Sequence, residues 1–528
     1  MKKVLNLLVV LLVFLVFSCS SSHSPNDSDM IPDSDTDTHD SEIQDDDFDS
    51  QGSEFVEDSD KTPDFDSDLE EPVPNDDEEE DKEEDEDEEI DDTDRINGYK
   101  RCYNEIPDEP YEGLFADPMI ESFIKQGRWL NDDYELKEED LKNITTLLVC
   151  VQDLRGIEKL TNLESITISG GNVYDFSPLS KLKKLKTVRI DAENTNCFGT
   201  FLPGISQAIS LDSSSESSMT CLDGSFSTLT NIETLVIENT QLKDVAPIEQ
   251  LVNLTNLVIT HNKIEFLPKN INNLQKLGKF VLSHNNLKDI NPLKSLTNLK
   301  ELRFDYNDIE DVSPVKDLIN LTFLDCNGNR ISDISPITNL VNLTYYLGLN
   351  RNQIEEIPEK ITNLKKLQEL DLTLNSISSL PDLKEMNSLE VLQLTNNVLN
   401  EETIMKLGEL ESLKFLHLSY NKFTKVSVMK NLKSLTTLYI SNNNITDLSG
   451  LADNESLPAL KNLYLDSNKI NSVEALRHRE GLTKLSVGKN CIEDLSPLEE
   501  LKEGGTYISG MNEQLGSCED TTTLEDGK

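Results

Sequence analysis

The segment NLTFLDCNGNRISDISPI spans residues 320–337 and has apolar residues at uneven intervals. These residues are Leu321, Leu324, Cys326, Ile331 and Ile334. Their spacing matches neither the 3.6-residue period of an amphipathic helix nor the alternation of a long strand. The same pattern stands 22 residues earlier, in NLKELRFDYNDIEDVSPV at residues 298–315. A pattern that recurs at a fixed length predicts a repeat protein.

Each copy of the pattern carries one asparagine at the same place, and successive copies are 22 to 25 residues apart. These asparagines are Asn262, Asn285, Asn307, Asn329, Asn352, Asn375, Asn397, Asn421, Asn443, Asn468 and Asn490. Weaker copies before them have Gln152, Gly171, Glu193 and Thr240 at that place. About 15 repeats therefore run over residues 144–501. They are interrupted by an insertion near 196–225 that has room for one degraded repeat.

The pattern resembles the leucine-rich repeat, LxxLxLxxNxL, at the repeat length of bacterial internalins. The resemblance implies an α/β fold: a right-handed solenoid with short parallel strands on its concave face and 3₁₀ turns and coil on its convex face. One repeat cannot bury its own apolar edge, so neighbouring repeats must stack. A buried asparagine amide can bond the backbone of the turns around it, so we interpret the asparagines as a structural ladder.

The N-terminus, MKKVLNLLVVLLVFLVFSC, has two lysines before a 14-residue apolar run, residues 4–17. This run is too short to span a bilayer and is typical of a signal peptide. Residues 16–19, VFSC, resemble a bacterial lipobox, which implies a lipoprotein signal peptide over 1–18 and a lipid on Cys19. Ser20 in the next position favours the outer membrane by the same resemblance. Ordinary secretion is the alternative.

Residues 19–95 are predicted to form a disordered acidic spacer. From Ser20 to Arg95 the chain has 36 Asp and Glu against three Lys and Arg, which accounts for −33 of the total charge of −51. Such a segment repels itself and buries little apolar area. Its DSDTDTHD motif at 33–40 lacks the glycine and terminal glutamate of an EF-hand, so calcium binding there is an open question. The remaining acidic surface disfavours nucleic acid as a partner.

Residues 96–143 are predicted to form a helical cap before the repeats, because Ile120, Phe123 and Ile124 have helical spacing. The segment resembles the cap that opens internalin arrays, and Trp129 is interpreted as part of its core. Residues 502–528 form the predicted C-terminal cap and tail.

Seven cysteines remain besides Cys19. Cys326 takes the place of a core leucine and is predicted to be a buried free thiol. The other six allow fifteen pairings. Proximity in the predicted solenoid favours Cys102 with Cys150, Cys197 with Cys221, and Cys491 with Cys518.

The chain carries no recognisable catalytic motif, and we expect neither an enzyme nor a bound cofactor. His261 and His284 each precede a ladder asparagine, which predicts a pair of imidazoles on one rim. Two histidines without a third ligand favour a solvated pair over a metal site.

Aromatic and charged residues occupy outward strand positions in some repeats. In the middle repeats they are Arg303, Asp305, Tyr306, Phe323, Asp325, Tyr346 and Arg351. In the later repeats they are Phe415, His417, Tyr420, Tyr439 and Tyr464. Of these, His417, Tyr439 and Tyr464 share one slot and are predicted to stand side by side. Exposed aromatic and arginine residues favour a protein interface, although cross-strand pairing is an alternative role.

The sequence therefore predicts a monomeric, lipid-anchored protein of the bacterial cell envelope that is exposed at the outer membrane. Its concave face is expected to bind a protein or glycoprotein partner, as internalin-like proteins do in adhesion. The alternative is a scaffold that faces the periplasm and organises other envelope proteins.

Overall fold

The computed structural model describes two short strands at 95–96 and 99–100 and most of residues 113–518. Within that range it leaves out residues 129, 131–132, 152, 170–172, 174, 192–220, 223, 408–409, 427–431, 454, 480 and 517. Several predictions therefore fall outside the described residues. They are those on the signal peptide, most of the acidic spacer, Cys19, Cys102, Cys197, Trp129, Gln152, Gly171 and Glu193.

The described repeats form one open sheet of sixteen parallel strands, in which each strand pairs with its neighbours along the chain. These strands are β3 (Thr146–Val149), β4 (Ser165–Ser169), β5 (Thr187–Asp191), β6 (Thr234–Glu238), β7 (Asn256–Thr260), β8 (Lys279–Val281), β9 (Glu301–Arg303), β10 (Phe323–Asp325), β11 (Tyr346–Gly348), β12 (Glu369–Asp371), β13 (Val391–Gln393), β14 (Phe415–His417), β15 (Thr437–Tyr439), β16 (Asn462–Tyr464), β17 (Lys484–Ser486) and β18 (Tyr507–Ser509). The predicted leucine-rich repeat solenoid is confirmed.

The side of the repeats opposite the sheet consists mainly of short 3₁₀ segments. They span Ile157–Lys159, Ser177–Lys181, Gly224–Thr228, Ala246–Gln250, Ile271–Asn273, Asn291–Ser295, Ser313–Asp317, Ser335–Asn339, Glu359–Asn363, Ser449–Leu451 and Glu474–Leu476. In the segment Ser335–Asn339, Asp333 accepts a hydrogen bond from the Ser335 N–H at 2.8 Å, and Pro336, which has no N–H, lies in the first turn, where an N–H would have no partner. The Asp333 side chain thus forms an Asx turn that leads into the 3₁₀ segment.

The described residues differ from the predicted repeat array in the following features. An α-helix, Glu401–Leu407, replaces the 3₁₀ turn where the repeat is longer and contains no proline. β5 pairs directly with β6, so no strand of a degraded repeat lies between them. The sheet also continues past residue 501, because β18 pairs with β17 after a helix at Ser496–Glu503.

The region predicted as the N-terminal cap contains two helices, α1 (Pro118–Gly127) and α2 (Glu138–Leu141). Asp117 caps α1 by accepting a hydrogen bond from the Met119 N–H at 2.9 Å. Ile120 and Ile124 are buried, and α1 packs on β3. Strands β1 (Arg95–Ile96) and β2 (Tyr99–Lys100) form a separate antiparallel pair.

The ladder asparagines bond the backbone of two consecutive repeats. The Asn329 Nδ2 donates to the carbonyl of Cys326 in its own repeat at 3.0 Å and to that of Phe304 in the preceding repeat at 3.1 Å. Its Oδ1 accepts from the Ile309 N–H of the preceding repeat at 3.0 Å. Asn329 is 7 % exposed, so these bonds satisfy polar groups that water does not reach.

At both ends of the asparagine series, another polar residue takes the place of the asparagine. Thr240 donates its hydroxyl to Asn262 Oδ1. At the C-terminal end, Gln514 accepts from the Ile492 N–H at 3.3 Å and donates to the Val487 carbonyl at 3.0 Å. Gln514 therefore performs the ladder's role for the last strand, which the asparagine pattern alone did not reveal.

A second series of asparagines lies on the turn before the strands, and the sequence analysis missed it. Each donates its Nδ2 to a backbone carbonyl of the preceding repeat, as Asn320 does to Thr297 at 2.8 Å. The members with this bond are Asn162, Asn253, Asn298, Asn320 and Asn342. These bonds are exposed, so they add less stability than the buried ladder.

Two of the cysteine predictions are confirmed. Cys491 and Cys518 form a disulfide with a Cα–Cα distance of 5.6 Å. Cys326 is a buried free thiol. Cys150 and Cys221 are also disulfide-bonded, while their predicted partners, Cys102 and Cys197, lie outside the described residues.

We predict that replacing Asn329 with alanine lowers the free energy of unfolding by about 1–3 kcal/mol, because it leaves buried backbone groups without partners. Thermal or urea denaturation would measure the change. Asn320→Ala is the matched control, since it removes one exposed bond, and it should cost under about 1 kcal/mol. Equal losses for the two variants would contradict the structural role of the ladder.

Candidate functional site

The register of the sheet arranges the outward side chains of the strands in two parallel rows. In the first row, from β9 to β17, are Glu301, Phe323, Tyr346, Glu369, Val391, Phe415, Thr437, Asn462 and Lys484. In the second row are Arg303, Asp325, Gly348, Asp371, Gln393, His417, Tyr439, Tyr464 and Ser486. Because adjacent strands lie about 4.8 Å apart, large side chains in one row must contact each other.

Three of the predicted binding residues form a continuous aromatic row, called here the late aromatic row. It consists of His417, Tyr439 and Tyr464 on β14, β15 and β16. The ring centroids are 4.3 Å apart between His417 and Tyr439 and 4.2 Å apart between Tyr439 and Tyr464. At the far end, the Lys484 Nζ lies 5.2 Å from the Tyr464 ring centroid. Burial lowers the pKa of His417, so at neutral pH its imidazole is uncharged.

Asp305, Tyr306, Arg351 and Tyr420 do not lie on strands, which corrects the prediction from the sequence. Asp305 follows the end of β9, while Tyr306, Arg351 and Tyr420 each stand directly before a ladder asparagine and have a left-handed backbone, with φ between 52° and 56°. The hydrogen bonds of the ladder asparagine stabilise this turn. They offset the cost of about 1 kcal/mol for a non-glycine residue in the left-handed conformation. Their side chains therefore line the rim that follows the strands.

On this rim, His261, His284 and Tyr306 form a second aromatic stack. The centroids of His261 and His284 are 4.2 Å apart, and those of His284 and Tyr306 are 4.5 Å apart. Burial and the neighbouring His261 lower the pKa of His284. The Tyr306 ring lies over Gly328, where a Cβ would be only 2.8 Å from the Tyr306 Cδ1. Within the described residues, no group of three or more His, Cys, Asp or Glu could hold a metal ion.

The predicted middle patch of Arg303, Tyr306, Phe323 and Arg351 is divided between the sheet and the rim. Arg303 and Phe323 contact each other, with the guanidinium carbon 4.3 Å from the ring centroid. The Arg303 Nε also donates to Glu301 at 2.8 Å. Tyr306 belongs instead to the rim stack, and Arg351 lies on the same rim. Phe415 and Tyr420, which flank the late aromatic row, are 40 % and 56 % exposed.

Two residues of potential functional importance escaped the sequence analysis because they break the repeat. Three residues separate Leu343 from Leu347, where the other repeats have two, and Tyr345 is the additional one. Thr344 and Tyr345 donate backbone hydrogen bonds to the Thr322 carbonyl, just as Thr322 and Phe323 donate to that of Lys300. However, β10 begins at the second donor, Phe323, whereas β11 begins one residue after it, at Tyr346, so the additional residue forms a bulge at the start of the strand. Tyr345 is 60 % exposed at this bulge. The second residue is Gly348, which places no side chain in the second row.

The middle of the concave face is crowded with carboxylates. Burial, together with the negative charges of Asp305 and Asp371, raises the pKa of Asp325 to about 7, although Arg303 and the Asn327 N–H oppose the shift. Burial and Asp325 also raise the pKa of the Tyr346 hydroxyl. Glu369 has a raised pKa because it is partly buried and lies near Asp371. The surface thus holds more negative charge than its own cations neutralise.

Comparisons with known proteins agree with this architecture. Models of the leucine-rich repeat match residues 319–359, 411–453, 433–478 and 342–399. An internalin from Listeria monocytogenes is 26% identical, with a TM-score of 0.53, over 70% of this chain and 95% of that one. A leucine-rich repeat protein of Leptospira interrogans shares the fold, with 23% identity and a TM-score of 0.57 over 70% of this chain and 97% of that one. A sequence search among curated proteins finds no significant match.

The chain is a leucine-rich repeat protein with structural similarity to bacterial internalins. Solenoids of this kind generally act as binding scaffolds for other proteins and not as enzymes. In the part of the chain that the structure describes, no helix has the length and apolar character needed to cross a membrane.

We predict that Asp325→Asn raises stability at pH 8 and has little effect near pH 4. The folded-state pKa of about 7 exceeds the ordinary value of 3.8, so the fold binds more protons than the unfolded chain between these values. Stability therefore falls as the pH rises through this window. Because the variant lacks the ionisable Asp325 carboxyl group, it should be more stable than the unmodified protein at pH 8, by on the order of 1–3 kcal/mol.

Denaturation curves at both pH values would measure this difference. Asp333→Asn is the control, because bonds from Ser335 lower the pKa of Asp333 and its pH dependence has the opposite sign. If the stability of Asp325→Asn had the same pH dependence as that of the unmodified protein, the raised pKa of Asp325 would be contradicted.

Proposed function

We propose that this protein binds a protein or glycoprotein partner through its concave face, and that it acts at the bacterial cell envelope, attached by a lipid on Cys19. The late aromatic row is the observation that carries the proposal. Three rings at strand spacing offer a large apolar surface with polar tips on a rigid sheet. Such a surface loses little conformational entropy on binding.

The position of the row within the array supports recognition rather than fold stability alone. The ladder and the leucine core recur in nearly every repeat, whereas large aromatics in the second row are confined to β14, β15 and β16. Cross-strand stacking contributes about 1 kcal/mol per pair to a sheet, but it does not require aromatics to cluster in three consecutive repeats. Phe415 and Tyr420 extend the exposed aromatic area beside the row.

The proposed attachment rests on the chain's first 95 residues. An apolar run ends at a lipobox-like VFSC, and a spacer with 36 acidic residues follows it. A lipidated Cys19 would hold the chain at the membrane, and the spacer's self-repulsion would keep the repeats accessible to a partner. The overall negative charge disfavours nucleic acid, and we propose a monomer.

A scaffold that faces the periplasm and organises envelope proteins is the second candidate. It would use the same concave face and the same lipid. Protease treatment of intact cells separates the two, because only a surface-exposed domain would be cleaved.

We predict that Tyr439→Ala weakens binding to a partner recovered by affinity pull-down by at least about 2 kcal/mol, since it removes the central ring of the row. Calorimetry or surface plasmon resonance with the purified partner would measure the loss. The variant also loses its two ring stacks, which should cost about 1 kcal/mol of stability.

Tyr507→Ala is the matched control, because Tyr507 is 58 % exposed on β18 at the end of the sheet. It should leave the affinity unchanged. Loss of stability without loss of affinity in Tyr439→Ala would assign the row a structural role. An effect confined to Phe323→Ala would move the interface to the middle repeats.

We predict that Cys19→Ser abolishes lipid attachment and leaves the protein unprocessed or soluble, since cleavage of such signal peptides follows lipid transfer. Membrane fractionation, gel mobility and radiolabelled palmitate incorporation would test this. Ser18→Ala, beside it, is the control and should still be processed. Unaltered fractionation and labelling of Cys19→Ser would rule out the anchor.

A further inference from the structure

The centre of the concave face has an aromatic ring, that of Tyr346, which extends along its own strand over Gly348 and lies beside the Phe323 ring, with the two centroids 5.1 Å apart. A Cβ built at Gly348 would lie 2.5 Å from the Tyr346 Cε1 and 2.7 Å from its hydroxyl oxygen. The ring therefore occupies the second-row space of its own strand, which only glycine leaves free. Asn327 Nδ2 donates to the Tyr346 hydroxyl at 2.9 Å and holds the ring there. We call Tyr346, Gly348 and the flanking Asp325 and Asp371 the Tyr346 platform.

Carboxylates border the platform on both sides. Asp325 and Asp371 occupy the second row on the strands before and after Gly348. Asp325 Oδ1 is 2.8 Å from the Cβ position of Gly348, so it lies at the edge of the ring. Asp371 accepts a hydrogen bond from the Thr373 N–H at 3.0 Å, which fixes its position.

The nearby basic residues are already neutralised by other partners. Glu301 accepts from both Lys279 and Arg303, at 2.9 and 2.8 Å. Within the described part of the chain, neither Asp325 nor Asp371 takes part in an ion pair. The platform thus combines an aromatic ring with two carboxylates that form no ion pair in that part of the chain, and burial together with the neighbouring Asp305 and Asp371 raises the pKa of Asp325.

The same sheet shows which chemistry such a surface accepts. The Arg303 guanidinium lies over the Phe323 ring at 4.3 Å while its Nε is bonded to a carboxylate. This arrangement combines a cation–π contact with a charge-assisted hydrogen bond. One strand further along, Tyr346 and its carboxylates present the same elements without the cation.

We propose that the Tyr346 platform binds a basic side chain, arginine or lysine, of the protein partner, with its cation over the Tyr346 ring and its N–H groups directed to Asp325 and Asp371. This inference rests on the proposed function and specifies the partner's chemistry: a basic residue that docks at β10, β11 and β12. Arginine fits best, because its planar guanidinium stacks on a ring and donates at its edges.

The test uses the full chain labelled with 3-fluorotyrosine, in which Tyr346→Phe identifies the ¹⁹F resonance of Tyr346. The probes are N-acetyl-arginine methylamide and its neutral isostere, N-acetyl-citrulline methylamide, each added to tens of millimolar. We expect a saturable shift of this resonance with arginine and an affinity for citrulline about tenfold lower. The double variant Asp325→Asn/Asp371→Asn should lose the arginine response.

The charge-matched control is Glu355→Gln/Glu356→Gln, which removes two exposed carboxylates outside the two rows and should keep the response. An absent shift, equal responses to arginine and citrulline, or an undiminished response in the Asp325→Asn/Asp371→Asn variant would overturn the proposal. A comparable shift with calcium chloride alone would also overturn it, in favour of a metal ion.

A recovered partner distinguishes this inference from the proposed function. If Tyr439→Ala weakens binding of that partner but Asp325→Asn/Asp371→Asn does not, concave-face binding stands and the basic side-chain site is wrong. If none of Tyr439→Ala, Phe323→Ala and Asp325→Asn/Asp371→Asn weakens binding, the concave-face proposal itself falls.

Discussion

The structure depends on one constraint: each repeat must turn sharply after its strand without leaving buried backbone groups unpaired. The asparagine ladder meets it, as Asn329 does by bonding two carbonyls and one N–H across two repeats. Because the Phe304 carbonyl and the Ile309 N–H belong to the preceding repeat, the bonds also fix the distance between repeats. Removing one ladder asparagine side chain should therefore weaken the stacking of the neighbouring repeats as well as the turn of its own repeat.

The surface chemistry follows from this constraint. With the turns fixed, the strands pair in one register, and equivalent positions form rows about 4.8 Å apart. The ladder also holds the preceding residue in a left-handed conformation, which brings His261, His284 and Tyr306 into a stack on the rim. Binding surfaces in this fold are thus built from whole rows, and a single substitution alters one unit of a periodic array.

The periodic part of this structure could be predicted from the sequence, and the exceptions could not. Leu321, Leu324 and Cys326 are buried as their spacing indicates, and His417, Tyr439 and Tyr464 lie on adjacent strands because they share a slot. Tyr306 and Tyr420 lie on the rim and not on the strands, because β9 and β14 end three residues before them. The position of the Tyr346 ring could not be predicted from the repeat pattern, because it depends on the absence of a side chain at Gly348 in the second row.

Departures from the repeat carry more functional information than the repeat itself. A regular array needs only a side chain that fits in each slot, so selection for stability alone gives no reason for an extra residue at Tyr345 or a glycine at position 348. Both changes fall within one repeat, beside carboxylates that have no cationic partner among the described residues. Glycine weakens a strand, and burial together with neighbouring carboxylates raises the pKa of Asp325 at the expense of stability. Local costs of this kind are typical of binding sites, where a partner supplies the missing interaction.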